Sequence, residues 1–155
     1  MSIRRAEDKD IEGIRKLLFQ VNQVHADGRP DLFKSGGIKY TYDELRAIIR
    51  DDNRPIYVYD ENTQILGYVF IWYEQTEDST NSYAIKSMYI DDLCVDENSR
   101  GKNVGKQLFE YVKEEARREK CDRITLHVWE CNPEAYGFYK HLGMQPLYTN
   151  MEYKL

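Results

Sequence analysis

Cysteine is scarce and poorly spaced for cross-linking. Cys94, Cys121 and Cys131 are the whole supply, an odd number without a C-x-x-C pair, which argues against both a disulfide framework and a zinc site. His25, His127 and His141 are as few and too scattered to rescue a metal reading, so no metal is expected. Long apolar runs are missing too. The best stretch, Ile65 to Tyr73, falls far below the ~20 residues needed to span a bilayer. The opening residues, Met1-Ser2-Ile3-Arg4-Arg5-Ala6-Glu7-Asp8, lack the apolar centre of a signal peptide, and a reduced cytoplasmic setting is the expectation. Positive charge is in deficit. The formal net charge of −5 argues mildly against nucleic acid or an anionic membrane as partner and mildly for a cationic substrate.

What is present is an ordinary globular balance, 41% hydrophobic and 32% charged over 155 residues, enough for one domain with one core and too short for a second. Ser2 to Ala6 reads as a strand. Asp8 is a plausible cap for a helix carrying Ile11, Ile14, Leu17, Leu18 and Val21 at helical spacing. Gly28 to Gly37 is rich in breakers and reads as loop. A short helix fits Tyr42 to Arg50. Two strands, Pro55 to Tyr59 and Gln64 to Tyr73, flank the turn-like Asp60-Glu61-Asn62-Thr63. A long strand fits Ala84 to Val95, and a helix Asn103 to Glu119 with Val104, Leu108, Tyr111, Val112 and Ala116 as its buried stripe. Arg123 to Trp129 alternates like a strand. Asn132, Pro133 and Gly143 punctuate a helix at both ends, and Leu147 to Leu155 reads as a last strand. The order βααβββαβαβ implies an α/β (α+β) sandwich with a mixed sheet.

Two constellations carry chemistry. In the first, the strand Ile90-Asp91-Asp92-Leu93-Cys94-Val95 runs through a polar turn into Arg100-Gly101-Lys102-Asn103-Val104-Gly105-Lys106 and a helix. Such a junction gathers free backbone N–H groups at a helix start, where a phosphate is favoured. A plain strand-to-helix turn with solvated lysines weighs about equally on junction physics alone. A nucleotide P-loop fits poorly: only three residues separate the glycines and Lys106 precedes Gln107. The dinucleotide G-x-G-x-x-G is absent. The second constellation, Asn132-Pro133-Glu134-Ala135-Tyr136-Gly137-Phe138-Tyr139-Lys140-His141-Leu142-Gly143-Met144, follows ~30 residues later. Alone it would be an amphipathic helix with aromatic packing.

Together, in this order, the two resemble the cofactor motifs of the GNAT N-acetyltransferases, R/Q-x-x-G-x-G/A and N-x-x-A-x-x-x-Y-x-x-x-G-F. Asn103 stands where the middle glycine is usual, and Met144 where the last aromatic is. The likeness is strong from Gln64 onward and rests on element order alone before that. It implies a GNAT-like, mostly antiparallel sheet flanked by helices, with acetyl-CoA as cofactor. Its diphosphate would lie on Arg100, Gly101, Lys102, Asn103, Val104, Gly105 and Lys106. Leu93, Cys94 and Val95 would line the pantetheine arm, with the Val95 N–H as candidate oxyanion donor. Asn132 would sit near the cofactor amides. Tyr139 would be the acid that protonates the departing thiolate, a phenol near ~10 against a thiol near ~8.5.

Asp91 occupies the strand position where some members carry the carboxylate facing the amine. Strict alternation puts Asp91, Leu93 and Val95 on one face and Asp92 and Cys94 on the other, unless a bulge exchanges them. Glu74, His25 or a water chain are alternative bases, and a structural carboxylate is the plainer reading of either aspartate. The acceptor pocket would involve His25, Phe33, Trp72 and Tyr89, with Tyr40 and Tyr42 adding aromatic surface for a cation. The expected reaction is acetyl transfer to a primary amine of a small molecule or peptide, with a homodimer compatible. A non-catalytic acyl-CoA-binding sensor is the alternative, and a nucleotide-binding protein a weaker third.

Overall fold

The computed structural model describes residues 2–155. Strand β1 (Ser2–Arg5) leads through a 3-10 turn into helix α1 (Ile11–Gly28), followed by α2 (Tyr42–Ile49), β2 (Ile56–Glu61), β3 (Gln64–Gln75) and β4 (Lys86–Val95). After a second 3-10 turn come α3 (Val104–Arg118), β5 (Arg123–Leu126) and α4 (Pro133–His141). The sheet order is β1-β2-β3-β4-β5. Every neighbouring pair is antiparallel except β4 and β5, which α3 joins by a parallel crossover. No helix among the described residues is long and apolar enough to cross a membrane.

Helices cover the sheet on both faces. Ile14, Leu17 and Leu18 of α1 and Leu45 of α2 have no solvent exposure and pack with Val58, Tyr68 and Phe70 on one face. Leu108 and Val112 of α3, equally buried, pack with Val69, Ile71, Met88 and Ile90 on the other. Local signals set these elements. Thr41 accepts from the Glu44 N–H at 3.1 Å while the Glu44 carboxylate accepts from the Thr41 N–H at 3.2 Å, a capping box that starts α2. Asn62 and Thr63, at φ 52° and 66°, turn β2 into β3 as a two-residue hairpin.

Three expectations need correction, and one helix runs beyond its apolar stripe. Asp8 does not cap α1: the 3-10 turn Asp8–Asp10 precedes it, the Glu7 N–H bonds to Asp10 Oδ2 at 2.8 Å, and Asp8 pairs with Arg50. Helix α1 runs on to Gly28, so His25 is helical. Strand β5 stops at Leu126; beyond it Trp129 packs against His25 near the end of α1, while His127 packs against Tyr89 of β4. Finally, residues 147–155 form no strand. The alternating pattern is there but no sheet edge of the same chain receives it.

Candidate active site

Strands β4 and β5 pair only from Ser87↔Arg123 to Ile90↔Leu126. Beyond Ile90 the outer edge of β4 has no strand partner among the described residues. The Asp96 N–H bonds inward to the Leu66 carbonyl at 2.8 Å. Alternation along the strand therefore turns the Val95 N–H outward, into the gap. The gap ends at the start of α3.

A bulge sits at the mouth of this gap. On β3, Phe70 and Ile71 are consecutive, yet they pair with Asp92 and Ile90, so Asp91 is the unmatched residue. Alternation resets there. Leu93 packs with Ile90 and Val95 in the α3 layer, whereas Cys94 joins the α1 layer. Asp91 and Asp92 now share the α1 side, contrary to strict alternation. Asp91 accepts from Lys39 Nζ at 2.8 Å and from the Tyr40 hydroxyl at 2.6 Å. Asp92 accepts from the Tyr68 hydroxyl at 2.7 Å; Phe70 lies between the two tyrosines, stacked on Tyr40 and edge-on to Tyr68.

The two carboxylates are not equivalent. Both oxygens of Asp91 are engaged, one by a cation, and its side chain is only 8% exposed. It fastens the α1–α2 loop to β4. Asp92 has no cation in contact. Burial pushes its carboxyl up to about 6, against the lowering effects of the Tyr68 bond and of Lys39. Burial also raises the Cys94 thiol, whose Sγ bonds to the Leu17 carbonyl at 3.6 Å, so this cysteine is a packing residue rather than a nucleophile.

The loop after β4 is pinned from below. Buried Asp96 accepts from Gln20 Nε2 at 2.8 Å, and the Gln20 Oε1 accepts from the Glu97 N–H at 3.1 Å. Gly101 at φ +86° and Asn103 at φ 61° then take left-handed conformations, which explains why asparagine replaces glycine there at little cost. The Asn103 side chain caps nothing. The first helical bond of α3 runs from the Gln107 N–H to the Asn103 carbonyl at 3.0 Å, leaving the N–H groups of Val104, Gly105 and Lys106 outside the ladder. Arg100, Lys102 and Lys106 are exposed around them, with Arg100 reaching Glu134 at 3.5 Å. Gly105 serves packing as well: a Cβ there would lie 3.0 Å from Phe138 Cζ and 3.4 Å from Val95 Cγ2.

That contact brings α4 to the gap. Asn132 Oδ1 accepts from the Ala135 N–H at 3.2 Å and caps the helix, with Pro133 at its first position. Burial raises the Tyr139 phenol above its ordinary value, and the charges of Asp92 and then Cys94 add to the shift; its ring packs edge-on against Phe138 at 5.1 Å. The acceptor residues fall into two clusters. His25, Phe33 and Trp129 form one, with Phe33 edge-on to Trp129 at 5.1 Å. Trp72, Tyr89 and His127 form the other, with the Tyr89 hydroxyl 3.2 Å from His127 Nδ1. His127 and Trp129, which sequence reasoning assigned to a strand, link the two clusters. Glu74 accepts from Trp72 Nε1 at 2.8 Å. Two concavities of about 440 and 550 Å³ lie away from the β4 gap, one against Arg5, Tyr57, Tyr73 and Glu115 and the other between Ile3 and the Asn103, Lys106 and Tyr111 side of α3.

Comparison with known proteins gives consistent results. The family described as "Acetyltransferase (GNAT) family" matches residues 21–144. Thialysine N-epsilon-acetyltransferase of Bos taurus is 28% identical over 83 residues, 54% of this chain and 46% of that protein. The chain spans about half the length of the curated relatives it matches. A mutant of the BH1408 protein from Bacillus halodurans superposes with a TM-score of 0.96 at 31% identity, covering 100% of this chain and 99% of that one. An aminoglycoside N-acetyltransferase, AAC(6')-Iy, solved in complex with CoA, shares the fold at a TM-score of 0.72 and 16% identity, over 99% of this chain and 98% of that one.

Proposed function

The chain belongs to the acetyltransferase (GNAT) family, and from that premise we propose that it transfers an acetyl group from acetyl-CoA to a primary amine of a small molecule or peptide. The observation that carries the reading is the unpaired outer edge of β4 beyond Ile90, which runs towards the unladdered N–H groups at the start of α3. The residues present fit the cofactor. The Val104, Gly105 and Lys106 N–H groups, with Arg100 and Lys102 beside them, suit a diphosphate, and a free strand edge suits the amide-bearing arm.

When bound, the thioester supplies an activated acyl carbon and a thiol leaving group. Asp92 removes the proton of the incoming ammonium, directly or through one water. A carboxyl near 6 is mostly ionised at neutral pH yet more basic than an ordinary aspartate. Asp91, sequence reasoning's choice for that task, instead holds Lys39 and Tyr40 in place. The outward Val95 N–H stabilises negative charge growing on the acyl oxygen. Tyr139 stays protonated through the working pH range and gives its proton to the departing sulfur. The Trp72–Tyr89–His127 and His25–Phe33–Trp129 clusters receive the amine-bearing chain, with attraction of an ammonium to the ring faces.

The test is free-thiol release from acetyl-CoA across a panel of amines, including polyamines, lysine analogues and peptide N-termini. Amine-dependent release supports the proposal. CoA binding with no release above hydrolysis for any amine would leave an acyl-CoA sensor instead.

A further inference from the structure

Arg54 extends the β2–β3 ladder just before β2 begins. The Ile71 N–H bonds to the Pro55 carbonyl at 3.1 Å and the Tyr73 N–H to the Asn53 carbonyl at 3.4 Å. Arg54 therefore stands directly opposite Trp72 in a non-hydrogen-bonded pair, where facing side chains are closest. Ile56 and Phe70, the next pair along, lie in the α1 layer, and alternation puts Arg54 and Trp72 on that same face. On the other side of Trp72 stands Tyr89 of β4, with ring centroids 4.7 Å apart. The row Arg54–Trp72–Tyr89 thus crosses the sheet one step from Phe70 and Asp92, which pair with each other. The Arg54 guanidinium lies over the Trp72 ring, 5.7 Å from its centroid.

This guanidinium has no ionic partner. Lys39, the cation on the α1–α2 loop, is held by Asp91 at 2.8 Å, whereas Arg54 makes no ion pair and no side-chain hydrogen bond among the described residues. Glu74, the next carboxylate on this face of β3, is turned to the indole edge, where it accepts from Trp72 Nε1 at 2.8 Å. A guanidinium lying on a ring keeps its N–H fork free at the rim, in a plane that suits both oxygens of a carboxylate. We propose that Arg54 binds a carboxylate carried by the acceptor, which is then an amino acid whose reacting primary amine lies several bonds from that carboxylate. The inference rests on the acetyl-transfer reading above. Arg54 and Asp92 are two strand spacings apart across the sheet and one pleat repeat along it, about 12 Å between backbones. With the carboxylate over Trp72, an amine on the same carbon stays at Trp72. An amine at the end of a chain crosses the Tyr89 ring and reaches Asp92.

Two acceptors that differ only in charge test this: ε-aminocaproate and its uncharged amide, each assayed by thiol release from acetyl-CoA. The wild type should prefer the acid by about 10-fold or more in kcat/KM, as for a charge-assisted pair partly screened by water. Arg54→Gln should bring the two rates together through loss on the acid. Arg54→Glu should reverse the order of charge preference and favour hexamethylenediamine over ε-aminocaproate. Equal turnover of acid and amide by the wild type, turnover of other amines but neither of these, or a preference for the acid that survives Arg54→Gln would each overturn the proposal while acetyl transfer stands. No thiol release with any amine would instead sink the acetyl-transfer reading, and the acceptor role of Arg54 with it.

Discussion

Asp92 is the residue whose removal separates function from stability most sharply. Its carboxyl sits at about 6 in the folded chain against an ordinary 3.8, so folding withholds ionisation over about two pH units. At 1.36 kcal/mol per unit this amounts to about 3 kcal/mol, an upper figure because the half-buried side chain keeps some solvent. The sign follows from which state holds the proton. Below about pH 4 both folded and unfolded chains are protonated, and no penalty exists. Between about 4 and 6 the unfolded chain ionises first, stability falls as pH rises, and above 6 the penalty is complete. Asp92→Asn keeps an acceptor for the Tyr68 hydroxyl and carries no charge. At pH 8 it should therefore be more stable than the wild type by about 1–3 kcal/mol, roughly 3–10 °C in Tm for a chain of this size. The gap should shrink towards pH 4.5. Urea unfolding at both pH values measures it. The same variant should lose about 10²–10⁴ in kcat/KM, and wild-type activity should rise with pH through about 6. A stability gap that ignores pH, or an asparagine variant of normal activity, would refute the assignment.

Tyr139→Phe should lower kcat by about 10²–10⁴ while the CoA dissociation constant, measured by calorimetry, changes little; an unchanged rate would leave it a packing residue. Asn103→Gly should be nearly neutral for CoA, because the backbone already holds φ 61° and the side chain caps nothing; a rise in affinity would show that the asparagine obstructs the diphosphate. Gly105→Val should both weaken CoA and lower Tm, because its side chain meets Phe138 and Val95. Loss of affinity with an unchanged Tm would mean that only the phosphate contact matters.

Much of the fold was legible because its signals are local. Helical spacing placed Leu108, Val112 and Ala116 of α3, and the cap at Asn132 lies where its sequence neighbours require. What stayed hidden depends on partners distant in the chain. Two adjacent aspartates carry no mark of which is the extra residue in a ladder. Only pairing with Phe70 and Ile71 decides it. Residues 123–129 alternate like one strand, but β4 bulges after Ile90 and offers no continued edge. His127 and Trp129 consequently leave the sheet and reach Tyr89 and Phe33. Gly105 carried two meanings at once, and the packing one needed the position of Phe138 on a helix ~30 residues away.

The bulge at Asp91 ties several features of the site to one inserted residue. In a regular strand Asp92 would point into the α3 layer among Met88, Ile90 and Val112, all 0–2% exposed, where a carboxylate has no polar partner and its cost would be prohibitive. One extra residue moves it to the other layer, where the Tyr68 hydroxyl waits at 2.7 Å. The burial that remains is enough to raise its proton affinity without expelling the charge. The extra twist a bulge imposes also falls where β4 and β5 stop pairing. The raised carboxyl and the free strand edge with its outward Val95 N–H thus share a local cause, and a site assembled that way needs no residue whose only task is to hold it open.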